Sequence, residues 1–119
     1  MNNRKTATEG ENAACGYLKK QGYVILERNY SCPVGEIDVI AKDGDTVVFV
    51  EVKSRNGTDF GLPEDSVDIR KRRKIILTAR YWMSAHTREC GKGCRFDVIA
   101  VLRGEVRHTV NAFDASGRA

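Results

Sequence analysis

The sequence predicts an α/β fold, in which helices flank a mixed β-sheet. Two segments have apolar residues at helical spacing, and five shorter segments are strand-like apolar or alternating runs. Their order along the chain is α-β-β-β-α-β-β, which is typical of helices packed on a sheet. At 119 residues, 41% of them hydrophobic, the chain is long enough to bury one core. We therefore expect residues 1–119 to form a single domain.

The first predicted helix covers residues from about 8 to 21. Thr8 has Glu11 three residues after it, which is the capping-box pattern of a helix N-terminus. Gly22 follows the last helical residue, where a glycine commonly ends a helix. Residues 1–7 and 115–119 lie outside the predicted elements and are expected to be disordered.

Five segments are predicted to be strands. The second and third are joined by "KDGD", in which Asp-Gly is a strong hairpin signal. The fourth and fifth form a final hairpin, and "NGTDFGLPEDS" is predicted to be a loop. In chain order the strand segments are "YVILERNY", "EIDVIA", "TVVFVEV", "RFDVIAVLR" and "VRHTVNAF".

The second predicted helix covers about 66–86, with an apolar face that packs on the sheet. The predicted core consists of the apolar positions that remain after the charged faces of the strands and helix are set aside. These are Tyr17, Val24, Ile37, Val39, Val48, Val50, Val52, Ile76, Ala79, Phe96 and Val98.

Four cysteines raise the question of a metal site or disulfides. His86, Cys90 and Cys94 are spaced at four and four and could share a helical face, but two glycines interrupt that face. No C-x-x-C motif is present, and a domain of this size does not need disulfides. Four free thiols are the favoured interpretation.

Charge and hydropathy limit the classes of function. No apolar run is long enough to span a bilayer, and the N-terminal ten residues lack an apolar signal segment, so a cytoplasmic protein without membrane contact is expected. The net charge is only +4, but "RKRRK" at 70–74 is a dense basic run. Such a run is usually a solvated helix face, and it becomes a candidate phosphate-binding surface if an acidic metal site lies beside it.

Four charged residues interrupt the second and third strands. Glu36 and Asp38 lie on one strand, and Glu51 and Lys53 lie on the next. Because side chains alternate along a strand, each pair shares a face, and an even-length hairpin loop would bring all four to the same face. Depending on that loop, Asp38 faces either Phe49 or Glu51 directly.

Clustered carboxylates repel each other, and a divalent cation between them would remove that repulsion. Oxygen ligands from few protein groups suit Mg²⁺, and Lys53 could position a water molecule or stabilise charge on phosphorus. The alternative is a pair of surface ion pairs, with Glu36 bound to Lys53. The apolar neighbours, the helical Glu11 and the nearby basic run favour the metal site.

At these residues the chain resembles known nucleases. Asp38 followed by Glu51-Val-Lys53 resembles the D…(D/E)xK signature of the PD-(D/E)xK nuclease superfamily. "GEIDVIA…VVFVEVKSR", with "GENAACGYLKKQGY" and "RFDVIAV", is similar to the YraN-like family, which itself is similar to Holliday-junction resolvases. The resemblance implies a restriction-endonuclease-like αβββαβ core and metal-dependent hydrolysis of DNA, with structured or branched DNA as a candidate substrate. The superfamily's Pro-Asp dipeptide is Ile37-Asp38 here, and resolvase-like members also lack that proline.

These observations lead to a hypothesis for each residue. The expected cofactor is Mg²⁺, with Mn²⁺ as a substitute, and the expected partner is DNA. The sequence leaves open whether the chain forms a homodimer. The metal would be bound by Asp38, Glu51, the Val52 carbonyl and Glu11. The catalytic set would be Asp38, Glu51, Lys53 and Glu11. The phosphate contacts would come from Arg55, Arg70, Lys71 and Lys74.

Two other classes of function stay open. One is a nucleic-acid-binding module on the same fold, with weak or no catalysis. The other is an interaction protein with an incidental acidic patch, which would bind no metal. Intact acidic residues at Asp38 and Glu51 argue against a pure binding module, because carboxylates repel phosphates.

Overall fold

A computed structural model describes residues 3–55, 67–90 and 93–118, and it has the predicted element order. The helices are α1 (Asn3–Lys20) and α2 (Ile69–Ala85). The strands are β1 (Val24–Cys32), β2 (Gly35–Asp43), β3 (Thr46–Arg55), β4 (Cys94–Leu102) and β5 (Glu105–Phe113). The predicted loop over 56–66 lies outside the described residues. In the parts of the chain described, neither helix is both long and apolar enough to cross a membrane.

The five strands form one mixed sheet in the order β1-β2-β3-β4-β5. All neighbours are antiparallel except β3 and β4, which are parallel. Parallel neighbours need a crossover connection, and α2 lies in the connection between these two strands. The predicted α/β class and mixed sheet are confirmed, and the order is compatible with a restriction-endonuclease-like core.

Each helix covers one face of the sheet. The face under α2 is packed with aromatic and aliphatic side chains, including Phe49, Trp82 and Phe96. The face under α1 is packed mainly with smaller residues, including Ala14, Val48 and Val50. With both faces covered, β2, β3 and β4 are central and mostly apolar.

Most of the predicted core is confirmed, and one position is wrong. Val24 is 60% exposed, because it begins the edge strand β1, whose register with β2 shifts between Ile25 and Glu27. Tyr17 and Val52 are half-buried. The remaining predicted core residues are buried.

Both helices begin at residues other than those predicted. Helix α1 begins at Asn3, inside the segment expected to be disordered, so Thr8 lies within the helix and its predicted capping role is wrong. The upstream residues include good helix formers, and the helix continues through them. Helix α2 begins at Ile69, where the Asp68 carboxylate caps it by accepting a hydrogen bond of 2.9 Å from the Lys71 backbone N–H.

Residues 115–118, also expected to be disordered, form a turn held against α2. Arg72 Nη1 donates to the Gly117 carbonyl at 3.0 Å, and Arg72 Nε donates to the Val67 carbonyl at 2.8 Å. The Asp114 carboxylate accepts hydrogen bonds from two backbone N–H groups within the turn. The turn is therefore fastened at both its ends.

A buried polar cluster joins β4, β5 and α1 on the α1 face. Asp97 is fully buried and accepts hydrogen bonds from Arg95 Nε at 2.9 Å, His108 Nε2 at 2.6 Å and the Asn111 backbone N–H at 2.9 Å. The last bond lies where the β4–β5 register shifts and Asn111 has a positive φ of 54°. Asp97 therefore supplies the acceptor for a backbone N–H at the bulge.

The charge of Asp97 should make stability depend on pH. Burial alone would raise the pKa of Asp97, but the hydrogen bonds from His108, Arg95 and Asn111 outweigh it and lower the pKa. This stabilisation is then complete above the ordinary carboxyl pKa of about 4 and is lost as pH falls through the lower folded value.

Asp97→Asn should lower the free energy of unfolding at pH 7 by about 3–5 kcal/mol, because it leaves the partners of a buried charge uncompensated. The difference from the wild type should shrink below about pH 4. Urea unfolding followed by the fluorescence of Trp82, the single tryptophan, measures both quantities. The control is Asp45→Asn in the exposed hairpin loop, expected to change stability by less than about 0.5 kcal/mol. A pH-independent difference at position 97 would contradict this account.

Helix α1 approaches β3 closely at Gly10. A Cβ atom built there would lie 1.9 Å from Ser54 Oγ and 3.2 Å from Ser54 Cβ, so the Ser54 side chain would have to rotate and the two elements would have to separate slightly. Gly10→Ala should therefore lower the free energy of unfolding by about 1–3 kcal/mol, the usual range for overpacking.

Gly16 in the same helix is the matched control, since a Cβ atom added at Gly16 would meet no other atom within 4 Å. Gly16→Ala should raise the free energy of unfolding by about 0.5–1 kcal/mol, because alanine favours the helix. Thermal and urea unfolding of the two variants measure the contrast. Equal effects at the two positions would mean that the approach of α1 at Gly10 is not tight.

Candidate active site

The β2–β3 hairpin decides how the charged residues meet. Its ladder runs from the pair Asp43 and Thr46 to the pair Val39 and Val50, so the loop contains two residues, Gly44 and Asp45. Gly44 has a positive φ of 60°, which suits the tight turn. The paired residues end there, in one of the two registers that the sequence allows, and Asp38 and Glu51 are the next positions on the two strands.

The ladder ends at Asp38, and its carboxylate replaces a backbone acceptor. The Val52 backbone N–H donates a hydrogen bond of 2.8 Å to Asp38 Oδ2. Ile37 packs in the cluster under α2, whereas Val39 packs in the cluster under α1. Residues two apart normally share a face, so the strand alternation breaks at Asp38. The rule that residues two apart on a strand share a face, which was used to place Glu36 and Asp38 together, therefore fails at this point.

Asp38 and Glu51 form a partly desolvated acidic pair. Glu51 is 8% exposed, and Asp38 is half-buried. Burial, the charge of Glu51 and a hydrogen bond between the two carboxyl groups raise the pKa of Asp38 to about 7, although the Val52 N–H opposes the shift. Near neutral pH, therefore, the acidic pair readily holds a proton.

Two lysines lie beside the acidic pair. Lys71 Nζ is 2.5 Å from Glu51 Oε2, and it also forms a hydrogen bond with the amine of Lys53. Burial and the neighbouring Lys71 ammonium lower the pKa of Lys53, while Glu51 opposes that shift. For Lys71, burial lowers the pKa, but the hydrogen bond and charge of Glu51 outweigh it and raise the pKa. Lys53 is thus the amine that loses its proton more easily.

Glu11 lies near the acidic pair but points to another partner. Its charge contributes to the raised pKa of Asp38, and its Oε1 lies 3.9 Å from Arg28 Nη2. Across the described ranges, no three His, Cys, Asp or Glu side chains are grouped closely enough to hold a metal ion. Any cation at the acidic pair would accordingly have two protein carboxylates as its nearest ligands.

A groove lies on the α2 side of the acidic pair. It has a volume of about 360 Å³ and is lined by Gly35, Glu36, Glu51, Lys71, Lys74 and Ile75. Glu36 and Lys74 are exposed at this groove. In the described structure the ion pair at Glu51 is made by Lys71, and the salt bridges contain no Glu36–Lys53 pair.

The basic run 70–74 is mostly exposed and borders the acidic pair, as predicted. Arg70, Lys71, Arg73 and Lys74 are exposed. Arg72 is the exception, since its guanidinium is bonded to backbone carbonyls and lies over the Phe113 ring. Arg55, also predicted to bind nucleic acid, lines a separate pocket beyond Ser54 at the end of β3.

None of the four cysteines, all within the described residues, forms a disulfide. The His86 ring stacks on Trp82 with centroids 4.0 Å apart, and its Nδ1 lies 2.8 Å from the Trp82 carbonyl oxygen. This histidine completes the C-terminal turn of α2.

The direct contact of Lys71 with Glu51 is not foreseen from the sequence, which marks Lys71 only as a phosphate ligand. The two residues are 20 positions apart, and residues 56–66 lie between them. The only sequence signal is that Lys71 falls in the first turn of the helix after β3. The sequence suggested Val52 only as a metal ligand through its carbonyl oxygen. It did not indicate that the backbone N–H of Val52 orients the Asp38 carboxylate.

Comparison with known proteins places these features in a family. The model of "Uncharacterised protein family UPF0102" matches residues 10–101. A UPF0102 protein of Lachnoclostridium phytofermentans is 44% identical over 117 residues, covering 98% of this chain and 99% of the relative. A relative from Persephonella marina is 47% identical over 106 residues, covering 89% of this chain and 90% of the relative. A relative from Clostridioides difficile is 45% identical over 115 residues, covering 95% of this chain and 100% of the relative.

Proposed function

The chain belongs to the UPF0102 family, and we propose that it is a metal-dependent nuclease that hydrolyses phosphodiester bonds of DNA. The observation that carries the proposal is the acidic pair, held at the end of the β2–β3 ladder with the amine of Lys53 close by. The resemblance to the PD-(D/E)xK superfamily supports the same reaction. DNA with flaps or branches is the candidate substrate class.

The donor set of the acidic pair fits Mg²⁺. Burial and the charge of the neighbouring Glu51 carboxylate raise the pKa of Asp38, and a divalent cation would remove the repulsion that causes part of this shift. Two protein carboxylates, with waters and a substrate phosphate completing the shell, is a usual arrangement for Mg²⁺. Bound there, Mg²⁺ would lower the pKa of a coordinated water and stabilise charge on the phosphate. Mn²⁺ has similar ligand preferences and would substitute.

Lys53 is suited to accept or position a proton. Because its pKa is lowered, Lys53 loses its proton more readily at neutral pH than an exposed lysine does. Lys71 keeps its charge and holds Glu51, so the two amines have different roles. Lys53 would act on the attacking water or on charge at phosphorus, and Asp38 and Glu51 would bind the cation.

The basic run would hold the DNA backbone. Arg70 and Lys74 are exposed, and Lys74 lines the groove that also contains Glu51. Contacts of this kind are made to phosphates, so they would be independent of sequence and sensitive to salt.

A DNA-binding module without catalysis is the second candidate. The observation that favours it is the Lys71 ammonium on Glu51, since this cation already balances one charge of the acidic pair. In that case Lys71 would stay in place and no divalent cation would bind.

Cleavage of linear, flapped and four-way DNA with Mg²⁺ or Mn²⁺ tests the proposal. Lys53→Ala should bind DNA as tightly as the wild type but cut about 10²-fold more slowly, the usual size of a positioned acid–base or electrostatic group. Lys53→Arg keeps the charge but does not release its proton, so rescue by arginine would assign charge stabilisation to Lys53.

Lys20→Ala is the control, since Lys20 is exposed in the last turn of α1. It should cut at the wild-type rate. Single-turnover rates that are equal for the wild type and Lys53→Ala would contradict the role of Lys53. DNA binding without cleavage of any substrate would favour the second candidate.

A further inference from the structure

A second pocket lies at the far end of β3, on the side of α1. It has a volume of about 300 Å³, and its lining includes Glu9, Gly10, Ser54, Arg55, Arg103 and Gly104. We call it the arginine pocket, after Arg55 and Arg103. Because β3 and β4 are parallel and Arg55 pairs with Leu102, the next residue of the chain, Arg103, is brought beside Arg55.

The Arg55 guanidinium is incompletely paired. Its Nε atom is buried, and no hydrogen-bond partner for it is found in the described residues. An unpaired buried donor destabilises a protein, and more so when the group is charged. An acceptor that draws the Arg55 side chain into the arginine pocket would remove this penalty.

The pocket has the charge and donors of an anion site. Two arginines and Ser54 are among the residues that line it, against one acidic residue, the exposed Glu9. Guanidinium groups form bidentate hydrogen bonds that match the oxygens of a phosphate. The balance of the lining therefore favours an anion with several oxygens over a cation or an apolar ligand.

The arginine pocket and the acidic pair lie at different points along β3 and on opposite sides of the sheet, the pocket on the side of α1 and the groove of the acidic pair on the side of α2. Arg55 follows Glu51 by four positions on β3, which corresponds to roughly 13 Å at about 3.3 Å per residue. A DNA strand advances by about 3.4 Å per nucleotide along its axis, so about four nucleotides cover this distance. A strand that lies at the acidic pair would reach the pocket by passing around the end of β3 toward α1.

We propose that the arginine pocket is a phosphate-binding subsite, and that the phosphate belongs to the nucleic-acid strand bound at the acidic pair. The subsite rests on the proposed function for the identity of its ligand. It adds Arg103 and Ser54 to the residues that contact DNA and sets the direction in which the strand leaves the acidic pair.

Titration with inorganic phosphate, followed by amide NMR shifts, tests the pocket without DNA. Phosphate at millimolar concentration should shift the amides of Ser54, Arg103 and Gly104 in a saturable manner. Arg103→Gln should abolish the saturation. The matched control is Arg88→Gln, which removes the same charge from an exposed residue of the connection that leads to the opposite end of β4. Absence of saturable shifts in the wild type, or equal loss in both variants, would overturn the phosphate subsite.

Binding of labelled flapped DNA without divalent cation, over a range of salt concentrations, tests the source of the phosphate. Arg103→Gln should weaken binding several-fold and lower the slope of log K against log salt by about one, whereas Arg88→Gln should not. Glu9→Gln should strengthen binding, because it removes the opposing charge. Equal affinities of the Arg103 and Arg88 variants would overturn the nucleic-acid assignment.

These outcomes are separate from those of the proposed function. Loss of cleavage on changing Lys53 concerns the acidic pair alone. A protein that binds DNA through Arg103 but never cleaves it would refute the nuclease and keep the subsite. A protein that responds to inorganic phosphate but does not retain DNA would overturn the assignment of the phosphate to a nucleic-acid strand.

Discussion

The repulsion between the Asp38 and Glu51 carboxylates is the constraint on which the candidate site depends. Two acids placed side by side and half desolvated are unfavourable unless other groups compensate them. The protein supplies two compensations, the Val52 N–H to Asp38 and the Lys71 ammonium to Glu51. Neither is complete, because the pKa of Asp38 is still raised to about 7. A titratable group whose pKa is strongly shifted beside a surface groove is typical of a functional site.

The fold creates this proximity through ordinary backbone rules. A two-residue loop sets the register that brings Asp38 beside Glu51, and the ladder ends just before these two residues. Helix α2 crosses from β3 to β4 and brings Lys71 over the pair, while Gly10 lets α1 lie close to β3. Asp97 at the β4–β5 bulge is also a desolvated carboxylate, but its hydrogen bonds lower its pKa. The two aspartates thus show opposite outcomes, since the pKa of Asp97 is lowered and that of Asp38 is raised.

The element order, the hairpin and most of the core could be predicted from the sequence, because apolar periodicity and the Asp-Gly turn are local signals. The start of α1 could not, since favourable residues extend the helix past the expected cap at Thr8. The contact of Lys71 with Glu51 was not predictable, because it depends on how α2 crosses the sheet. The break in strand alternation at Asp38 occurs where the β2–β3 ladder ends, and Val24 is exposed because it lies on an edge strand. Neither effect can be read from the alternation of apolar and polar residues in the sequence.

Calorimetric titration with Mg²⁺, in the absence of DNA, tests the central claim that the acidic pair is a cation site. The wild type should bind Mg²⁺, and Asp38→Asn, which keeps the shape of the side chain but removes its charge, should lose that binding. Glu36→Gln, at the exposed edge of the same groove, is the control and should bind nearly as the wild type does. Identical Mg²⁺ binding by the wild type and Asp38→Asn would contradict the account.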